Sequence, residues 1–557
     1  MIELDIVGPL HGERLVDNQP ASQTRSRLTD GVLVAWLVVC GVLLFARLGN
    51  YALWDDEANT AIFAANVWST GDTSAYDGTN LVAFREGLEL TGLKNRVFPP
   101  GQYFMDAPFI GLLGRNALAA RLPFALAAFA AFVLWAWWLR RARTPWPTLA
   151  LTLLLVVGNV SLFLYSRQSR YYGVSWALTL ALFYLYVHRG ESTRNRVLFT
   201  LASVALLSVQ YLYYGATMVC LAVDYLAFEW KKSQDTWRQR LIFLGVQALG
   251  MAAIVGVFNP LGRKVTPYVP ANWWEDKLKL AWWDLRDLSS AEFFFVPMLV
   301  VALAVWAAGQ RRDSWLLRGV VAMVMYALMA SVFSQQPVGW ATVADIRYMV
   351  PTIPLGIALT ARTLTASRKW LQVVGVAVGA FLALSTPAWR AFQFAVRAPT
   401  KMPVRSTLVS YLGELRSPQR SAYNETADYL SRNVPAGAQV WVQPDYAIYP
   451  LVFHAPQLRY MWQLRVDQRS AYPTLPAFHF RGMGVPDVIV AFGPDVGNVR
   501  GVVSQLEQRG VAFEPEVRLG VVGPDRTRPE LFWRSFETDP VRNPDGDGTY
   551  VFRRRAQ

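Results

Sequence analysis

The sequence predicts a polytopic α-helical membrane protein of about eleven transmembrane helices, resembling no soluble class, with a C-terminal soluble α/β domain. Three observations lead there. The 557 residues are 53% hydrophobic and only 17% charged, against about 25% charged in a soluble protein. The apolar residues gather in runs that approach the roughly 20 needed to cross a bilayer. Past Ala388 the texture changes to short strand-like runs alternating with helical ones.

Hydropathy puts the spans at 31–48, 117–139, 147–165, 174–187, 197–213, 216–229, 241–258, 293–308, 319–333, 351–364 and 371–388. The polar first 30 residues, with Asp5, Glu13, Asp17 and Asp30, lack the short basic start of a cleaved signal peptide, so the first run is expected to stay as a span. Basic residues fix the expected orientation. Arg25 and Arg27 precede the first span, Arg140, Arg141 and Arg143 follow the second, and Arg189, Arg194 and Arg196 follow the fourth. Lys231, Lys232, Arg238 and Arg240, then Arg311, Arg312 and Arg318, then Arg368 and Lys369, fall in later segments on the same side. The positive-inside rule makes that side cytoplasmic. The tail 1–30 is then inside, while loops 49–116 and 260–290 and the domain 389–557 are outside a plasma (inner) membrane.

The same distribution explains the formal net charge of +14: much of it is loop charge that sets topology, and no nucleic-acid motif accompanies it. Cys40 and Cys220 lie inside predicted spans and suggest no disulfide or metal site. His11, His188, His454 and His479 are scattered, which leaves no zinc-like cluster and no Ser-His-Asp or Cys-His set.

In loop 260–290, Trp274, Leu278, Trp282 and Leu285 share helical spacing, with Lys277 and Asp284 between them. That pattern predicts an amphipathic helix on the outer surface, either as an anchor or in contact with substrate. In the C-terminal part, 421–433 and 498–508 read as helices and 439–442, 488–492 and 511–517 as strands. Asn424-Glu425-Thr426 fits a glycosylation sequon, for which chance is the better explanation.

Chemistry is expected first at Trp54-Asp55-Asp56-Glu57, just past the first span. Carboxyl groups beside a bilayer are costly to desolvate, so they suggest function. One can take a proton from an attacking hydroxyl while its neighbour positions it or shares a cation. They also suit the N-terminus of the helix that follows. A divalent cation on Asp56 and Glu57 is compatible with the pair, but two carboxylates do not specify one. Second is Arg167-Gln168-Ser169-Arg170-Tyr171-Tyr172, between the third and fourth spans. A guanidinium there suits a phosphate; Arg167 reads better as a snorkelling helix-end arginine. Third is Asp345-Ile346-Arg347-Tyr348, with Pro351 and Pro354 beyond, where Arg347 either binds a phosphate oxygen or pairs with Asp345.

In this order the pieces resemble the GT-C glycosyltransferases, specifically bacterial relatives of protein O-mannosyltransferases and aminoarabinose transferases. Trp54-Asp55-Asp56-Glu57 looks like the family's acidic motif, and Phe98-Pro99-Pro100 with Tyr103 is similar to its Pro-Pro segment. The run 117–123 resembles its small-residue, Arg, Leu, Pro lead into the second span. Arg170 and Tyr172 match its Arg-x-Tyr element, and Arg347-Tyr348 with Pro351 and Pro354 its Arg-Tyr…Pro…Pro element. The likeness covers residues 31 to about 366. In the aminoarabinose branch a lysine precedes the Pro-Pro pair; here Phe98 stands there, with Arg96 two residues earlier.

The resemblance implies an inverting transfer from a polyprenyl-phosphate sugar to a hydroxyl of a lipid, glycan or protein acceptor outside the cytoplasm. It implies Asp56 as base with Glu57 in support, and Arg170, Tyr172, Arg347 and Arg96 as donor-phosphate ligands. Asp55, Tyr103 and Tyr348 are further candidates. No cofactor is specified beyond the divalent cation already considered. Two other classes compete. A transporter or lipid flippase would need functional charges within its spans, of which Asp224 is the main candidate, and repeat symmetry, which the halves lack. A membrane-anchored receptor would leave the first-loop acids idle.

Overall fold

The computed structural model describes residues 19–190, 192–233, 236–260, 272–291, 295–308, 314–334, 346–366, 372–381, 407–418, 421–520 and 548–555. Expectations that fall on the tail 1–18, most of the 260–272 stretch, Asp345 and the end of the last predicted span lie outside them.

The chain is mostly helical. Helix α1 (Gln19–Phe45) leads into a long loop holding α2 (Asp55–Thr70), the short strands β1 (Leu90–Thr91) and β2 (Lys94–Asn95), and α3 (Gly101–Leu113). The bundle continues with α4 (Ala117–Arg141), α5 (Trp146–Gly158), α6 (Val160–Ser166), α7 (Tyr172–Val187), α8 (Thr193–Val209) and α9 (Tyr211–Asp224). It is completed by α10 (Trp237–Val257), α11 (Trp273–Ala291), α12 (Phe295–Ala308), α13 (Ser314–Phe333) and α14 (Ile353–Thr365). The helix α15 (Gln372–Phe381) follows.

Among the described residues five helices are long and apolar enough to cross a membrane, or six if α5 and α6, bent by 60° at Asn159, form one broken span. The helices α7, α12 and α15 are apolar but shorter. This is a multi-pass membrane protein, although fewer helices meet the spanning length than the eleven expected. One expected span is broken: Asn159 caps α6 by accepting from Leu162 N at 2.9 Å, and α5 ends at Gly158. In α10 only 6% of the most apolar stretch is buried. A helix apolar all round and so little covered by protein needs lipid around it.

Helix α11 carries polar residues on its buried side as well as on its exposed one. Trp274, Leu278 and Trp282 are exposed, whereas Lys277 and Asp284 are buried. The Lys277 ammonium donates to Ser334 O at 2.7 Å, and Asp284 accepts from the Ser331 hydroxyl at 3.2 Å. Lys277 and Asp284 thus serve the end of α13, while Leu285 of the expected stripe packs on the helical core.

After α16 (Thr407–Arg416) come α17 (Ala422–Asn433), α18 (Ile448–His454) and α19 (Val496–Gln508) with a five-stranded sheet. Its strands are β3 (Gln439–Gln443), β4 (Arg459–Tyr460), β5 (Val488–Phe492), β6 (Val517–Leu519) and β7 (Thr549–Arg553), in the order β4-β3-β5-β7-β6. The β3 strand pairs parallel to β4 and β5; β7 pairs antiparallel to β5 and β6. Every residue of β5 is buried, because the sheet is covered on both faces. With a side-chain period of two, Ile489 and Ala491 pack against Val499 and Val503 of α19. Val488, Val490 and Phe492 point into a second core that also contains Ala61, Ile62, Leu81 and Tyr103.

The sheet layer and the long loop after α1 therefore share one hydrophobic core. Hydrogen bonds fasten them as well. Asn424 accepts from Ala52 N and donates to Asn50 O, so the sequon asparagine is engaged on both sides of its amide. His454 Nε2 accepts from Leu53 N at 3.1 Å. Burial, with a smaller effect of the Arg121 charge, pushes the His454 imidazole down from its ordinary 6.5 to about 4. Between those values the unfolded chain binds a proton that the folded one does not, so acidification favours unfolding. Wild-type protein in detergent is expected to lose stability as pH falls from about 6.5 to 4, and His454→Gln, which keeps an acceptor without the titration, to show a flatter profile in thermal unfolding.

Candidate active site

Helix α2 starts where Trp54 leaves extended backbone, and it stops at Gly71, whose φ of 74° closes the C-terminus. Its first turn carries Asp55, Asp56 and Glu57. Successive residues point about 100° apart on a helix, so three neighbouring acids meet three environments.

Glu57 is fully buried. Its Oε1 accepts from Arg121 Nε at 2.8 Å and Ser169 N at 2.8 Å; its Oε2 accepts from Arg121 at 2.6 Å and, more loosely, from Trp54 N at 3.4 Å. Those contacts fill the roughly four acceptor positions of a carboxylate. Arg121 is as fully used. Besides its two bonds to Glu57, it donates to the carbonyls of Leu48, Tyr51 and Ala52 at 2.9 to 3.2 Å. The acid that closes the α2 N-terminus is therefore Glu57, which has no position left for a cation shared with Asp56. Among the described residues no group of three or more His, Cys, Asp or Glu side chains is placed to hold a metal.

Asp55 is nearly buried and accepts from the Asp56 amide at 2.8 Å. Asp56 is the acid that faces cations. Its Oδ2 accepts from Arg170 at 3.2 Å and from Arg347 at 3.2 Å, and 29% of its side chain is exposed, enough for a ligand to reach it. Arg170 also donates to Thr60 Oγ1 at 3.2 Å and stacks on Tyr171, while Arg347 lies over Tyr348. Burial opposes the Arg170 cation, but the Asp56 charge and the oxygens of Tyr171, Tyr172 and Tyr103 outweigh it and move its pKa up. The guanidinium stays charged.

The turn that carries Arg170 is pinned from both sides. Trp54 Nε1 donates to Gln168, and Ser169 N reaches Glu57. At Gly173, a Cβ would come within 2.6 Å of Phe124 O, so only glycine lets α7 start directly on α4, one turn beyond Arg121. Arg167 donates to Leu43 O at 3.2 Å and to the Tyr411 hydroxyl at 2.6 Å, ties within the scaffold rather than with Asp56.

The other expected residues are placed differently. Tyr172 is fully buried in an aromatic stack with Tyr165 and Tyr171. Tyr103 is buried against Phe63, its hydroxyl accepting from Asn95 at 3.1 Å. Arg96 pairs with Asp72 at 2.7 Å and donates to Thr73 at 3.1 Å, which makes it a strut of the loop. Arg347 pairs with Asp56; the Asp345 alternative lies outside the described residues. The sequence reading gave no role to Arg121, Gln168, Asp106 or His454. For Arg121 a signal existed, a lone charge in the first turns of a 25-residue apolar helix.

The bundle also holds an apolar cavity of about 170 Å³, whose walls do not include Asp56, Arg170 or Arg347. It runs along α7 from Trp176, one turn past Tyr172, to Val187, with Trp135, Phe183, Trp315 and Pro351 among its walls. At 1.5 Å per residue that length is roughly 16 Å. At the far end, Asp224 accepts from Arg318 at 2.7 Å and from Tyr186 at 2.7 Å, and Arg318 and Arg189 also pair with Glu229. The buried acid that a transporter would use is thus closed in ion pairs.

Removing one partner of a buried pair leaves the other uncompensated, at a cost of about 3–5 kcal/mol. Arg121→Ala is expected to destabilise the protein by about that amount in denaturant titration, and adding Glu57→Gln to recover part of the loss.

No protein-family model matches the chain, and no curated protein matches it by sequence. Solved structures do. ArnT from Cupriavidus metallidurans bound to undecaprenyl phosphate is similar over 94% of this chain and 98% of its own, with 13% identity and a TM-score of 0.56. The same protein in the apo state is similar over 96% and 98%, with 14% identity and a TM-score of 0.52. The chain therefore shares its fold with ArnT.

Proposed function

We propose that the protein is a membrane glycosyltransferase that moves a sugar from a polyprenyl-phosphate donor to an acceptor hydroxyl on the extracytoplasmic side, with inversion. The observation that carries this reading is the convergence of Arg170 and Arg347 on one partly exposed carboxylate, Asp56. Two guanidinium groups on one carboxylate suit an anion, and the apolar cavity along α7 suits an isoprenoid chain. The complex of ArnT with undecaprenyl phosphate on the same fold supports a ligand of that chemistry.

In the resting site the Asp56 carboxylate occupies the two arginines. A donor phosphate takes them over and leaves Asp56 as a base beside the anomeric carbon. The acceptor hydroxyl gives its proton to Asp56 as its oxygen bonds to that carbon from the face opposite the phosphate. The bond from the carbon to the phosphate oxygen breaks, and its electron pair leaves with polyprenyl phosphate. The phosphate gains negative charge at this step, where both fixed cations stand. Glu57 and Arg121 act on this chemistry only by holding α2 and the Arg170 turn in place.

The orientation follows from the basic segments expected on the opposite side of the membrane. Nucleotide sugars do not reach the outer face, which is why a lipid-borne donor fits. The sugar is a hexose or pentose and the acceptor a lipid, glycan or protein; comparing cell-envelope glycans by mass spectrometry with and without the gene identifies both.

With purified protein in nanodiscs and a synthetic undecaprenyl-phosphate sugar, Asp56→Asn is expected to lower kcat by about 10²–10⁴ while expression and insertion stay normal. Near-wild-type turnover would exclude the base. Arg347→Ala and Arg170→Ala are each expected to raise the donor KM about ten- to a hundredfold. An unchanged donor KM rules out the phosphate role.

A further inference from the structure

One buried acid beside the site takes no part in the transfer chemistry. Asp106, on α3, is fully buried. Its Oδ2 accepts from the Ser169 hydroxyl at 3.3 Å, and its Oδ1 is buried with no hydrogen-bond partner. One turn earlier on the same helix, Gln102 Oε1 is likewise buried without one. The nearby charge is that of Glu57, of the same sign. A carboxylate at this point would be an uncompensated anion in the protein interior. Burial raises the Asp106 pKa well above the usual carboxylate range; the Ser169 hydrogen bond opposes that shift and the Glu57 charge adds to it.

Ser169 is therefore held twice. Its amide donates to Glu57 and its hydroxyl to Asp106, and the next residue is Arg170. We propose that Asp106 is a positioning residue, present as the neutral acid, which through Ser169 fixes the turn that aims Arg170 at Asp56. A neutral acid offers this grip without a second negative charge. An ionised one would stand against Glu57.

The proposal rests on the reading of Arg170 as a donor-phosphate ligand. Asp106→Asn, which keeps shape and neutrality, is expected to leave kcat and donor KM within about twofold of wild type. Asp106→Ala is expected to raise the donor KM about tenfold with a smaller change in kcat, and Ser169→Ala to move the same way. Loss of activity in Asp106→Asn equal to that in Asp106→Ala would overturn the proposal, because charge or proton transfer would then be needed. So would wild-type behaviour of Asp106→Ala. Infrared spectroscopy supplies a readout that needs no turnover. At neutral pH the wild type is expected to show a carboxylic-acid carbonyl stretch that Asp106→Asn lacks, and its absence from the wild type would overturn the neutral state. If wild-type protein transfers no sugar, the glycosyltransferase reading fails, while this band and fluorescence-measured binding of undecaprenyl phosphate still decide the case of Asp106.

Discussion

The arrangement depends on the fork between Arg121 and Glu57. A guanidinium has five N–H donors, and every one of them is used here: two on Glu57 and three on the carbonyls of Leu48, Tyr51 and Ala52. One buried cation thereby joins the first turns of α4, the exit from α1, the start of α2 and, through the second partner of Glu57, the Arg170 turn. Such a pair adds little to net stability, because desolvating two charges offsets most of their attraction. What it supplies is geometry. Any other packing of these four segments would strand a charge in the interior.

The fork also explains how adjacent acids divide the labour. Had the loop remained irregular, Asp55, Asp56 and Glu57 would share one solvated environment. Helix formation separates them. Glu57 turns inward and is spent on structure, Asp55 caps the neighbouring amide, and Asp56 alone meets the two arginines. Those arginines arrive from distant parts of the chain, one beside α7 and one just before α14, held by the stacked rings of Tyr171 and Tyr348.

Much of this was legible in the sequence because it rests on local pattern. The apolar runs announce the membrane class, and the order of acid, arginine and arginine-tyrosine motifs identifies Asp56, Arg170 and Arg347, which the fold then gathers. Arg96 and Tyr172 were singled out by the same reasoning, yet one braces Asp72 and the other fills an aromatic core. Nothing in a linear pattern tells a guanidinium bound for a ligand from one bound for a loop carboxylate. Asp106 opens a short apolar stretch of sequence, and its hydrogen-bond partner Ser169 is 63 positions away. Strand β7 follows a long polar stretch and pairs antiparallel with β5, so no local signal foretold its central place in the sheet.

The core shared by α2, α3 and the sheet sets an order of assembly. Residues 50 to 53 exchange hydrogen bonds with Asn424 and His454, groups made 372 to 401 positions later. The second core is finished only when Val551 is laid down beside Val490. The acidic turn therefore waits on segments synthesised hundreds of positions after it. Until those segments fold back against it, the first loop lacks half of its core, and the scaffold around Asp56 is completed late in synthesis.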